Sequence, residues 1–126
     1  MHIPDKWIED ALVSALEGGS NYWYHMPGYK SKIDKWFPLK DGEKRPPSSV
    51  CIIESVITYG EVYPVCDIET GNLLGKLSKA NILRGIPLWF DHTMKLEDSI
   101  IFDPGMDASN ADVFFQLIVM GEVIYG

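Results

Sequence analysis

The chain has 126 residues, 46% hydrophobic and 12% aromatic, enough to bury one core without staples and too few for a second independent domain. Its 11 basic and 18 acidic residues leave a net charge of −7, which disfavours duplex nucleic acid and anionic membrane as partners. The most apolar stretch, Val113 to Met120, falls far short of the roughly 20 residues a crossing helix needs, and Asp5, Glu9 and Asp10 stand where a secretory leader would be basic and then apolar, so no membrane and a cytoplasmic location are expected.

In chain order, Pro4 and Asp5 open a helix whose buried stripe is Trp7, Ile8, Ala11, Leu12, Ala15 and Leu16, stopped by Gly18 and Gly19. Asn21 to Tyr24 reads as extended, and Pro27 with Gly28 breaks the chain direction after it. Lys30 to Ser49 is rich in lysine, then in turn residues such as Asp41, Gly42, Pro46 and Pro47. It is expected to resist regular structure, with a flexible loop at 38–49. Val50–Thr58, Val62–Ile68 and Leu73–Leu77 are dense in β-branched and aliphatic residues. Turns at Tyr59–Glu61 and Thr70–Asn72 would join them into a three-stranded antiparallel meander. Pro64 cannot donate to a ladder, so it predicts a bulge or an edge position in the second strand.

Ser78 caps a helical segment that Gly85 ends and Pro87 restarts, giving a broken middle helix. Ser109 and Asp112 stand three apart in the manner of a capping box before Val113, Phe114, Phe115, Leu117, Ile118, Val119 and Met120. That helix, apolar on nearly every side, belongs at the centre of the core or in an oligomer interface. Gly121 ends it, and Glu122 to Tyr125 suits an edge strand. The fold class expected is a single α+β domain, a three-stranded antiparallel meander packed against N- and C-terminal helices. Cys51 and Cys66 fall in apolar segments and read as buried reduced thiols.

No phosphate-binding glycine loop, dinucleotide fingerprint, zinc-protease or serine-hydrolase motif occurs. His2, His25 and His92 share no ligand spacing with each other or with the cysteines. Glu54, Glu61, Asp67 and Glu69 could converge as an acid/base or metal pair; a solvated sheet face is the plainer reading. No cofactor is implied. The one charge asymmetry is at positions 30–45, where six cations face three acids, a local +3 that leaves −10 for the remainder. With the aromatics just before it, this gives the candidate ligand site: Tyr22, Trp23, Tyr24, His25, Tyr29, Lys30, Lys32, Lys35 and Trp36. Rings there would stack on a base and ammonium groups would attract phosphate. The competing reading makes Trp23 and Trp36 core anchors and leaves the lysines to solubilise a loop. Arg84 and Gln116 join the candidates, Arg84 as an anion fork or a helix-end cation and Gln116 as a ligand contact or a buried amide bonded to neighbouring backbone.

The pairing of EGGSNYWY after the first helix with ADVFFQLIVMGEVIYG at the C-terminus resembles a family of small proteins encoded by tailed phages and prophages. The resemblance is carried by Glu17, Gly18, Gly19, Tyr22 and Trp23, then Ala111, Asp112, Gln116, Gly121, Glu122 and Gly126. It implies the cytoplasm of an infected bacterium as the setting and brings no established activity. The expectation is a non-enzymatic, homo-oligomeric binding protein that sequesters a nucleotide-type small molecule or blocks a host defence protein. The alternative is a small hydrolase or transferase acting on a nucleotide-like substrate, with carboxylates meeting Gln116 or His92 only in the fold.

Overall fold

Ile8, Ala11 and Leu12 form the buried stripe of the first helix, α1 (Asp5–Ser14), as their spacing requires. The computed structural model describes residues 5–93 and 107–126, so Pro4 and His2 lie outside the described residues. After α1 comes a π-helical turn, Ala15–Gly19, closed by the Ser20 N–H on the Ala15 carbonyl at 2.9 Å. A Cβ at Gly19 would sit 2.4 Å from the Ala108 carbonyl oxygen, so close backbone approach explains the second glycine of the pair.

The remaining elements are β1 (Tyr24–His25), α2 (Tyr29–Trp36), α3 (Ser48–Tyr59), β2 (Tyr63–Asp67), β3 (Leu73–Leu77), α4 (Lys79–Thr93) and α5 (Ala108–Met120). The architecture is α+β, with one three-stranded antiparallel sheet in the order β1-β2-β3. One strand is not where the sequence puts it. Val50–Thr58 lies inside helix α3, and Gly60, at φ 72°, is that helix's left-handed C-cap rather than part of a hairpin turn. The place in the sheet goes to Tyr24–His25, paired with Asp67 and Cys66. The lysine-rich segment is likewise part helix, because α2 covers Tyr29–Trp36; irregular chain runs from 37 to 47, and Ser48 and Ser49 belong to α3 rather than to a loop at 38–49.

The hairpin from β2 to β3 turns at Thr70–Asn72 as expected, with Asp67 Oδ1 accepting from the amides of Glu69 (2.8 Å) and Thr70 (2.9 Å). Pro64 lies opposite Lys76, one residue before a register shift between Val65 and Cys66, and β1 reaches only Cys66 and Asp67, so Pro64 has no partner strand on that side. The middle helix is not broken. α4 runs through Gly85 and Pro87, and its buried Ile82, Gly85 and Trp89 keep one stripe on the core.

α5 is the central helix, packed by α1, the π turn, α4 and β3. Its start is capped by Asp107, whose side chain accepts from the Asn110 amide at 2.8 Å, and not by Ser109; Asp112 is buried instead of serving as a capping acid. Phe114, Phe115, Leu117, Ile118 and Val119 are all buried by the chain's own elements, so α5 belongs to the core. Residues 122–126 form no strand. Cys51 and Cys66 are free and buried, Cys51 on a helix rather than a strand. No helix among the described residues is long and apolar enough to cross a membrane.

Candidate functional site

The two end motifs meet around one carboxylate. Asp112, on the second turn of α5, is buried and accepts four hydrogen bonds, from Ser20 Oγ (2.7 Å), Trp23 Nε1 (2.8 Å), Tyr22 Oη (2.6 Å) and Gln116 Nε2 (3.1 Å). One turn on, the Gln116 amide holds the chain end. Its Oε1 accepts from the amides of Ile124 (2.8 Å) and Tyr125 (2.9 Å), and its Nε2 also donates to the Tyr125 carbonyl (3.0 Å). Tyr125 then stacks on Trp23 at 5.1 Å and 9° and donates to Asp67 Oδ2 at 2.7 Å. Burial, followed by the hydrogen bond to Asp112, pushes the Tyr22 hydroxyl up to about 12. Tyr22, Trp23, Asp112 and Gln116 are thus committed to one another. Trp23 and Gln116, proposed from sequence as ligand contacts, are interior residues because their polar atoms find all their partners inside the chain.

Tyr22 borders one opening together with Asp112 and Tyr125, and a different group of the predicted residues borders another. Tyr24, His25 and Tyr29 line a pocket of about 370 Å³ whose other walls are Leu16, Asn21, Met26, Ser48, Ser49, Ile52 and Ile68. β1 supplies the first two rings, the start of α2 supplies Tyr29, and the start of α3 supplies the two serines. The Tyr24 hydroxyl is fixed on the Leu16 carbonyl at 2.8 Å, and burial together with nearby Tyr29 pushes it up to about 12. The half-buried Tyr29 and the exposed His25 present a hydroxyl and an imidazole. Ser49 is buried and donates to Glu17 Oε1 at 2.8 Å. Leu16, Met26 and Ile52 make the floor apolar.

The lysines do not join these rings. Along a helix of 1.5 Å per residue, Trp36 lies about 10 Å from Tyr29, at the other end of α2, and Lys30 is turned by roughly 100° from Tyr29 into solvent. Lys32 (3.4 Å) and Lys35 (3.9 Å) instead flank Glu61, which also accepts from Trp36 Nε1 at 2.9 Å; Lys32 further donates to the Val62 carbonyl. The Trp36 N–H first, then the Val62 amide, hold the Glu61 carboxyl below the usual carboxylate range. Trp36 stacks on the exposed Tyr59 at 4.5 Å and 4°. Arg84 donates to the Ile118 carbonyl at 2.7 Å, a cation at the C-terminal end of α5.

The scattered carboxylates stay scattered: Glu61 faces lysines, Asp67 organises the hairpin, and Glu54 and Glu69 are exposed. Among the described residues, no cluster of three His, Cys, Asp or Glu side chains could hold a metal ion. His92 stacks on Trp89 at 6.2 Å. Sequence reasoning missed Leu16, Asn21, Met26 and Ile68 as well as the α3 wall of Ser48, Ser49 and Ile52, and for that wall the available signal was Pro46–Pro47 followed by serine, a helix start. Compared with known proteins, the chain matches no family model, no curated protein and no solved structure.

Proposed function

We propose that this protein is a non-enzymatic binding protein whose pocket between β1, α2 and α3 takes a small planar heteroaromatic ligand, the base portion of a nucleotide-type molecule. The observation that carries this reading is the pocket itself. Its volume of about 370 Å³ falls in the range of small-molecule sites, and three rings meet an apolar floor with a few polar groups at the edge. Tyrosine and imidazole faces suit stacking, while Ser48, Asn21 and the Tyr29 hydroxyl suit the hydrogen-bonding edge of a base. Among the described residues the phosphate half of the expected ligand finds no lysine at the pocket, so the ring carries the recognition. In the phage setting that the end motifs suggest, such a protein would act in the bacterial cytoplasm by sequestering a small defence signal.

Isothermal titration with free nucleobases, nucleosides and cyclic dinucleotides tests this, with Tyr29→Ala as the control. Heat from at least one ring compound, abolished by Tyr29→Ala at an unchanged fold, is expected. No heat and no shift in melting temperature with any of them would remove the proposal. A second reading, blockade of a host protein, is favoured by the stacked Trp36–Tyr59 pair, which lines no part of the pocket and leaves Tyr59 exposed. Its test is capture of a defined host partner that Tyr59→Ser abolishes and Tyr29→Ala leaves intact.

A further inference from the structure

The charge balance of the aromatic pocket says which form of a base-bearing ligand it accepts. Tyr29 is the first residue of α2, Ser48 and Ser49 are the first two of α3, and neither helix start is closed by a side-chain cap, the N-cap residues being Gly28 and Pro47. Helix starts carry roughly half a positive charge each and draw anions. Glu17 already answers that field: from the exposed end of the π turn its Oε1 accepts the Ser49 hydroxyl at 2.8 Å, a full negative charge at the first turn of α3. No lysine or arginine is among the described residues that line the pocket to restore a positive balance.

Resting on the reading of this pocket as a ligand site, we infer that Glu17 is a specificity-determining residue, which makes the pocket select uncharged bases and nucleosides over their phosphates. A phosphate carried to the Ser48–Ser49 end would meet the field of the Glu17 carboxylate, bonded to the pocket-lining Ser49, and lose what the helix start offers. An uncharged ligand meets no such opposition. Because Glu17 is exposed, water and salt screen part of its field, and the discrimination is roughly tenfold rather than thousands. A purely structural Glu17, serving only as a helix-start acid for α3, would move the melting temperature and leave ligand ratios alone.

The experiment is isothermal titration of adenosine, guanosine, cytidine and uridine, each beside its 5′-monophosphate, into the wild-type protein, Glu17→Gln and Ser49→Ala. Wild type is expected to bind at least one nucleoside roughly tenfold more tightly than its monophosphate. In Glu17→Gln that ratio falls toward one through tighter monophosphate binding, with nucleoside affinity unchanged. Ser49→Ala, which unties the carboxylate, lowers the ratio in part and supplies the readout should Glu17→Gln fail to fold. Equal binding of nucleoside and monophosphate by wild type, or a ratio unchanged in the folded variants, overturns the role of Glu17 while the pocket stands as a ligand site. No heat with any of the eight compounds overturns this inference, and the pocket reading falls with it only when the free nucleobases and cyclic dinucleotides are blank as well.

Discussion

Asp112→Ala tests whether the two ends of the chain are joined by a buried polar network or merely lie side by side. Alanine removes the acceptor from four donors, which do not lose equally. Ser20 and the Trp23 indole are at most 2% exposed, so each is left without a partner in the interior. Tyr22 is half exposed and can turn to solvent, and Gln116 Nε2 keeps the Tyr125 carbonyl. Two stranded donors at about 1 to 3 kcal/mol each give a loss of about 4 kcal/mol, a large share of the roughly 5 to 15 kcal/mol that holds a domain together. Urea unfolding followed by circular dichroism measures it as a lower midpoint at unchanged slope. Tyr22→Phe is the matched control and should cost under about 1 kcal/mol, since it deletes the donor that water can replace. A loss for Asp112→Ala no larger than that of Tyr22→Phe would refute the account, because burial would then not set the cost of the missing acceptor.

Gln116→Met keeps the volume and removes the amide, so the Ile124 and Tyr125 N–H groups lose their acceptor; hydrogen exchange should show their protection gone with α5 still protected, at about 2 kcal/mol in stability because water reaches the tail. Gly75→Ala places a Cβ 2.1 Å from the Val119 carbonyl oxygen, a clash of backbone with backbone that should cost about 2 kcal/mol or more in a thermal melt. On pH, Glu61 and Asp67 are held below their ordinary range, Asp67 first by the Tyr125 hydroxyl. Their contribution is therefore present above the unfolded value of about 4 and is lost as pH falls through the depressed folded one. Tyr22 and Tyr24 sit at about 12, so theirs is full below about 10 and is lost as pH rises from there toward 12. Urea midpoints across pH should fall at both ends, and Glu61→Gln should flatten part of the acid limb.

Local punctuation made much of the scaffold legible. The glycine pair after α1, the turn at Thr70–Asn72 and the apolar run of α5 each carry their own signal, and each appears where it was expected. What failed depended on distant partners. Pro87 costs α4 a hydrogen bond but does not break it, because the stripe through Ile82, Gly85 and Trp89 is buried; a Cβ on Gly85 would come within 2.6 Å of Ile118. Asp112 read as a helix-start acid, since nothing local announces that Ser20 and Trp23, some 90 positions away, would converge on it. The rings of the pocket were visible, yet its serine wall was not, because that wall exists only if residue 48 begins a helix.

α3 is the sharpest conflict between local preference and packing, and it can be tested apart from the rest. Six of the nine residues from Val50 to Thr58 are β-branched, and at roughly 0.5 kcal/mol each relative to alanine they disfavour a helix by about 3 kcal/mol. Burial answers with more. Cys51, Ile52, Ile53 and Val56 are no more than 6% exposed, and at roughly 1.5 to 3 kcal/mol for each of the three larger side chains the core returns about 5 to 9 kcal/mol. The buried set, 49, 51, 52, 53, 55 and 56, fills a broad helical face that leaves Glu54 outside, whereas a strand would have put Glu54 on the same face as Ile52 and Val56. Pro47 ahead of α3 and Gly60 behind it frame a helix, and that signal outranks composition. A peptide of residues 48–61 alone should therefore show almost no helical circular dichroism in water, while the same amides in the whole protein exchange slowly. A strongly helical free peptide would mean that local propensity suffices, and the claim that the core imposes this helix would fall.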